Sequence, residues 1–504
     1  LPDFVEQMAK ITIIGSGFSG LAAASFAAKA GYSVSVLEKN SSIGGRCRFY
    51  EENGFGFDMG PSWYWMPDVF EKFFSRFDRK PSDYYNLVKL DPGFRMVFGK
   101  NDVVDVPAEM QDIESLFESI EPGSSVRLRK FLKEGKFKYE VGMQQLVYKP
   151  AYSWFEFMNY DVLRGVAGSH VFKSVRSYVR NYFKDPRLVA LMEFPVLFLG
   201  AMPQQIPALY TLMNYAALDM GTWYPMGGMH KIIQGMASLA EELGVEIHTD
   251  AEVKRINVQN KKAVSLNVNG SEMKTDGVIS SADYHHTEKV LLGKEFSNYS
   301  ETYWKNKVFA PSCLIFYLGV SKKIDRLHHH NLFFDADLDQ HAREIYQSPE
   351  WPENPLFYVC CPSKTDPSVA PIGSENLFIL IPVATGLEDS DATRKKYFDM
   401  IISRMESFTG TSFVNEIVYN RSYCIRDFVN DYNAYGGNAY GLANTLSQTA
   451  VLKPSMKNRK VENLFYTGQL TVPGPGIPPA LISGEIAAGE IHKQLQSRYH
   501  ETIV

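Results

Sequence analysis

A short β-branched run, Ile11 to Ile14, passes without a spacer into Gly15-Ser16-Gly17-Phe18-Ser19-Gly20 and then into an alanine-rich stretch reaching Ala30. The run predicts a buried parallel strand, the glycines a tight turn, and the alanines a helix that Gly31 closes. Ser33 to Leu37 reads as a second strand, with Glu38 at its end. Strand, glycine turn, helix, strand and acid in this order form a βαβ unit of the Rossmann type that binds a dinucleotide. Gly15 allows the turn, Gly17 lets backbone approach a pyrophosphate, and Gly20 lets helix and strand pack closely. The helix start offers unpaired N–H groups and partial positive charge to the phosphates. Glu38 is placed to accept hydrogen bonds from the adenosine ribose, and its charge disfavours a 2′-phosphate, hence NADP.

Two further stretches select FAD over NAD. Gly44-Gly45-Arg46 gives a second close backbone approach with a planar cation beside it, and Phe57-Asp58-Met59-Gly60-Pro61-Ser62 follows. Near the C-terminus Asn463 to Thr467 reads as a strand that Gly468-Gln469 breaks. The loop Pro473-Gly474-Pro475-Gly476-Ile477-Pro478-Pro479 then starts a helix over about 480–495. That helix start is suited to stabilise negative charge at flavin N1 and O2. In the middle, Thr222 to Met229 precedes an amphipathic helix from His230 to Leu243, followed by strands over 245–248, 253–258, 263–268 and 277–281. The expected cofactor domain is therefore discontinuous, built from 1–90, 220–295 and 445–504. Residues 91–219 are expected to form a helical, membrane-facing lid and 296–444 a substrate-binding part, giving an α/β fold with a mixed sheet in the second domain.

Composition narrows the function classes. With 52 Lys and Arg against 57 Asp and Glu, the net charge is −5, which provides no field to hold a polyanion, so nucleic acid is not an expected partner. The 5 cysteines are scattered, with no C-x-x-C spacing, as suits a reducing cytoplasm and not a cysteine-held metal. No window supplies the roughly 18 to 20 apolar residues of a membrane-spanning helix, and the best candidate, Phe194 to Met202, contains Pro195. Leu1 to Gln7 lacks the features of a signal peptide, and Met8 is read as the start of the authentic chain. There is no G-x-S-x-G elbow and no H-E-x-x-H helix. His328-His329-His330 is expected in an exposed loop and Cys360-Cys361 in a core strand, so no metal site is predicted.

Taken together, Gly15 to Gly20, Glu38, Gly44 to Arg46, Phe57 to Ser62, Tyr210-Thr211-Leu212, Trp223 to Gly228 and the Gly474 to Pro478 loop resemble the bacterial carotenoid desaturases of the phytoene desaturase type, within the flavin amine oxidase fold group. The resemblance covers nearly the whole chain from Met8. Gln469, where relatives often have a small residue, and Pro475 are departures from it. It implies FAD held by Gly15, Gly17, Gly20, Glu38, Gly45, Arg46, Gly60, Pro61, Ser62, Gly468, Gly476, Ile477 and Pro478. It also implies hydride transfer from an allylic carbon to flavin N5, forming a conjugated C=C bond in a C40 polyene. Phytoene is the leading expected substrate and 3,4-desaturation of a 1-hydroxylated, γ-carotene-type carotenoid the alternative. A carotenoid isomerase, an amine oxidase and a non-enzymatic isoprenoid carrier share the framework. The electron acceptor is expected to be quinone or oxygen.

A hydrocarbon substrate requires an apolar tunnel, and aromatic residues make up 13% of the chain. The tunnel candidates are Trp63, Tyr64, Trp154, Phe157, Phe198, Trp223 and Tyr224. Lys173, on a helix predicted over 171–183, lies where relatives can have an arginine near the flavin, and is the catalytic candidate. Arg127, Arg129, Lys130, Lys133, Lys136 and Lys138 interleave with Leu128, Phe131, Leu132 and Phe137, a pattern suited to anionic lipid. The expected location is cytoplasmic, with peripheral attachment to the membrane lipid surface.

Overall fold

The structure is a computed structural model that describes residues 8–157 and 173–503. Lys10–Ile14 (β1), Ser33–Leu37 (β2), Glu246–His248 (β3), Gly277–Ser280 (β4) and Leu464–Tyr466 (β5) form one parallel sheet in the order β5-β4-β1-β2-β3. Strands from three distant stretches of the chain thus meet in one sheet. β1 after Lys10 and β4 throughout carry buried residues, which is how a parallel strand covered on both faces reads.

Helix Phe18–Lys29 (α1) follows β1 directly, and His230–Glu242 (α2) and Ile477–Ile503 (α3) flank it. Two glycines set how closely these parts approach. A Cβ on Gly20 would lie 2.0 Å from the Gly15 carbonyl oxygen, and one on Gly484 would lie 2.4 Å from the Ser19 carbonyl oxygen. Any side chain at either position pushes α1 off the turn or off α3. Asp58 serves the start of α2: its carboxylate accepts from the backbone N–H of Met229 at 2.7 Å and of His230 at 2.9 Å. These are donors that the helix leaves without partners of its own.

The meander between β3 and β4 is a separate antiparallel sheet of Val253–Gln259, Lys262–Val268 and Ser271–Lys274, the last not foreseen from sequence. The second domain holds a 7-stranded mixed sheet, ordered Ile417–Tyr423, Ser312–Val320, Glu375–Val383, Phe357–Cys360, His330–Phe333, Phe94–Gly99 and Asp102–Val106. Phe94–Gly99 pairs in parallel with His330–Phe333, so the beginning of 91–219 belongs to this sheet, and the described elements after it, from Met110–Ile120 to Tyr215–Asp219, are helical. The predicted helix over 171–183 is shorter, Val175–Tyr182, with Ser174 as its cap accepting from Ser177 N–H at 3.2 Å.

Candidate flavin and substrate site

One cavity of about 500 Å3 runs from the β1–α1 turn to the underside of the mixed sheet. Twelve of the residues expected to hold the cofactor line it: Gly15, Gly17, Glu38, Gly45, Arg46, Gly60, Pro61, Ser62, Gly468, Gly476, Ile477 and Pro478. Gly20 lies behind the wall, where it closes α1 onto the turn.

At the dinucleotide end, Gly17 occupies the N-cap of α1 with no side chain hydrogen-bonded to the helix start, and a Cβ built on it meets nothing within 4 Å. Backbone donors there face open space, as a pyrophosphate needs. Glu38 is buried, and its two oxygens are divided between neighbours. Oε2 accepts from Ser16 N–H at 3.0 Å and Ser16 O–H at 2.7 Å; Oε1 accepts from Asn40 N–H at 2.9 Å and its side-chain amide at 2.8 Å. Ser16 and Asn40 escape a motif search because only Glu38 and the glycines define the pattern.

Arg46 is the cation at the second glycine turn. Its guanidinium donates to the Asn438 carbonyl at 3.2 Å and lies 5.0 Å over the Tyr432 ring, while its buried Nε has no hydrogen-bond partner among the described residues. Burial lowers its pKa, with Tyr432 and Asp283 opposing that shift. A buried, partly unsatisfied cation on a cavity wall fits an anionic or carbonyl-bearing ligand. Asp283, at the end of β4, also faces the cavity; it caps a short helix through His286 N–H at 3.1 Å, and burial raises its pKa.

Beyond Ser62 the lining becomes apolar. Trp63 faces the cavity with Phe194, Leu197, Leu332 and Phe334. Trp63 stacks on His330 at 4.0 Å and meets Trp65 edge-on at 5.2 Å. Other aromatic candidates serve the core instead. Tyr64 is buried against Phe70 at 4.3 Å with its hydroxyl 3.0 Å from that of Tyr85. Trp223 donates its indole N–H to the Met220 carbonyl at 2.9 Å, away from the described lining. Tyr224 lines a separate void of about 20 Å3. Trp154 is 57% exposed. The side chains of Phe157 and Phe198 lie outside the described ones.

Lys173 is exposed, its carbonyl accepting from Ala208 N–H at 2.8 Å, and it is not among the described residues lining the cavity. The histidines correct the expectation of an exposed loop: His329 and His330 are buried, because His330 opens a strand paired with Phe357–Cys360. The basic segment is the helix Ser124–Val141, and part of it turns inward. Lys138 is buried, donating to the Ala208 carbonyl at 3.2 Å and Thr211 Oγ1 at 3.0 Å, and burial lowers its pKa to about 8. Arg129 makes a two-pronged pair with Glu114 at 2.7 Å. Lys130, Lys133 and Lys136 remain exposed. No described helix is long and apolar enough to cross a membrane.

A dinucleotide turn opening into an apolar chamber defines a class, a flavoprotein with a buried organic substrate. The chain belongs to the flavin containing amine oxidoreductases, whose family pattern matches residues 18–492. Among individual relatives, it is 40% identical over 479 residues to a carotenoid 3,4-desaturase of Haloarcula japonica, covering 95% of this chain and 97% of that one. It is 32% identical to a ζ-carotene-forming phytoene desaturase of Myxococcus xanthus, over 95% and 93% of the two chains. A 4,4′-diapophytoene desaturase of Staphylococcus haemolyticus is 30% identical, over 95% and 97%. The same fold occurs in putrescine oxidase, with a TM-score of 0.62, 13% identity and coverage of 97% and 99%.

Proposed function

We propose that this protein is an FAD-dependent carotenoid desaturase that introduces a conjugated C=C bond into a C40 polyene. The observation that carries the reading is the continuity of one cavity, polar and glycine-lined at Gly15, Glu38 and Arg46, apolar at Trp63, Phe194 and Leu332. Bound FAD supplies the hydride acceptor. The chain's own part is to hold the adenosine end at Glu38 and the second glycine turn, align an extended hydrocarbon along the apolar wall, and exclude water. Recognition along the polyene comes from buried area, since that part of the substrate offers nothing to hydrogen-bond.

The 40% match to a 3,4-desaturase, against 32% and 30% to phytoene and diapophytoene desaturases, favours 3,4-desaturation of a late acyclic or monocyclic carotenoid over phytoene. That reverses the order expected from the resemblance. Chromatography of pigments from cells producing phytoene, or a 1-hydroxylated γ-carotene, together with this chain is the test. New 3,4-unsaturated product supports the reading, and conversion of phytoene alone refutes the ranking.

The substrate partitions into lipid, so the proposal includes peripheral attachment to the cytoplasmic face of a membrane. Exposed Lys130, Lys133 and Lys136, with Phe155 at 81% and Trp154 at 57% exposure, supply the charge and the aromatic anchors such attachment uses. Quinone in that membrane, or oxygen, would take the electrons.

A further inference from the structure

Beneath the Trp63 wall, His329, His330 and Cys360 bring one ring nitrogen from each imidazole and the thiol sulfur within 4.8 Å of one another. All three residues are buried, at 4%, 0% and 2% exposure. The two rings lie 4.5 Å apart between centroids. Each Nδ1 is already engaged, that of His330 with the Tyr358 hydroxyl at 2.6 Å and that of His329 with Thr365 Oγ1 at 2.8 Å. The Tyr358 hydroxyl donates its own hydrogen to Ser62 Oγ at 3.0 Å, which leaves its oxygen to accept from His330 Nδ1–H. Both Nε2 atoms, by contrast, are buried without a hydrogen-bond partner among the described residues.

An imidazole whose Nδ1–H is given to an oxygen presents a lone pair at Nε2, and this is how protein ligands to metals are held and oriented. His330 presents such a lone pair, and His329 does so when its Nδ1–H is given to Thr365 Oγ1; beside the Cys360 thiol, with no donor among the described residues on either Nε2, they form a candidate coordination set. We propose that His329, His330 and Cys360 bind one thiophilic d10 cation, Zn(II) or Cu(I), as a structural tie between the strands His330–Phe333 and Phe357–Cys360. Imidazole and thiolate together select this class over Mg(II) or Ca(II), which take oxygen ligands. Closing the three atoms around an ion requires metal–nitrogen distances near ~2.0 Å and metal–sulfur near ~2.3 Å, an inward shift from their present spacing; three protein ligands suit three-coordinate Cu(I), and Zn(II) would take water as its fourth ligand. Cys360 also faces the void of about 20 Å3 that Ser62 lines in common with the main cavity, which gives the ion a short way in. Because His330 stacks on Trp63, the ion would stiffen the apolar wall from behind. The inference stands independently of which carotenoid the enzyme uses.

The test uses the full chain with its flavin, freed of adventitious metal by dialysis against a chelator that is then removed. Zn(II), and separately Cu(I) under a reductant, are titrated and retained metal is measured by mass spectrometry; Co(II) serves as an optical probe for thiolate ligation. The expected result is one ion retained per chain, a raised unfolding temperature as mass action requires, and a sulfur-to-Co(II) absorption band. Cys360→Ala and His329→Gln should lose all three, while Cys361→Ala, the next residue, buried in a different part of the core, should keep them. Retention of Zn(II) alone or Cu(I) alone identifies the ion. Wild-type protein that retains neither, or Cys360→Ala that retains the ion as well as wild type, overturns the site. If His329→Gln fails to fold, Cys360→Ala decides the matter, since it removes only a sulfur from a packed strand.

Discussion

Glu38 and Ser16 are joined twice, the same carboxylate oxygen accepting from the serine's backbone N–H at 3.0 Å and from its hydroxyl at 2.7 Å. The acid that ends β2 therefore also pins the glycine turn after β1, and holding the cofactor and shaping its cradle fall to one side chain. Each charge-assisted hydrogen bond is worth about 1.5–3 kcal/mol. Glu38→Ala should weaken FAD binding by roughly tenfold to a hundredfold, since every 1.4 kcal/mol is about tenfold, and Glu38→Gln by less. Titration of apoprotein with FAD measures both. Unchanged affinity in Glu38→Ala would remove the residue from the cofactor site.

Two histidines on the cavity wall predict an acid-sensitive fold. His341 accepts from Leu356 N–H at Nδ1, 3.1 Å, and its Nε2 donates to the Pro382 carbonyl at 2.9 Å, an arrangement only the neutral ring satisfies. Burial lowers its pKa from 6.5 to about 4, and burial followed by nearby Lys39 lowers that of His286 to about 4. Between those values the unfolded chain binds protons at these two histidines that the folded one refuses, so their contribution to stability is full above pH 6.5 and is lost as pH falls toward 4. The slope is about 1.4 kcal/mol per pH unit for each such group. Urea unfolding at pH 7.5, 6 and 5 should show the decline, and His341→Gln should reduce its slope. Buried Glu288, its pKa pushed up to about 7, acts in the opposite direction, so the comparison with the variant decides: the same slope in wild type and His341→Gln would contradict the neutral-ring assignment.

Attachment to lipid should divide between charge and aromatic anchors. Arg129 is paired with Glu114 and Lys138 is buried, so the lysines to reverse are Lys130, Lys133 and Lys136. Each should contribute about 1 kcal/mol at an anionic surface. Their triple change to Glu should release the protein from anionic vesicles at low salt, and Trp154→Ser with Phe155→Ser should weaken binding at high salt too. Co-sedimentation that neither variant alters would place the attachment elsewhere.

The cofactor half of the molecule is legible in the sequence because its signals are local. Glycines at fixed offsets, a strand on either side and an acid at β2's end leave the backbone little choice, and twelve of the expected positions face one cavity. The substrate half resists such reading, since its wall is assembled from Trp63, Phe194, Leu332 and Leu380, which are far apart in the chain and brought together by sheet pairing. Aromatic content marks hydrophobic residues without saying which face a cavity, so Tyr64 and Trp223 read like Trp63 yet pack or hydrogen-bond elsewhere. His330 looks like a loop residue until its pairing with Cys360 turns it inward. Lys138 belongs to a basic run, but the carbonyl of Ala208 and the hydroxyl of Thr211 draw it into the interior.

The desaturase assignment is tested most directly by anaerobic titration of the flavin-loaded protein with a 1-hydroxylated γ-carotene, followed by absorbance and by chromatography of the extracted pigment. Each C=C bond formed removes a hydride and a proton, so bleaching of the flavin band and appearance of a red-shifted polyene should rise together, one product per flavin reduced. Product that accumulates under strict anaerobiosis with no reduction of flavin or added acceptor would contradict the assignment and point to isomerisation.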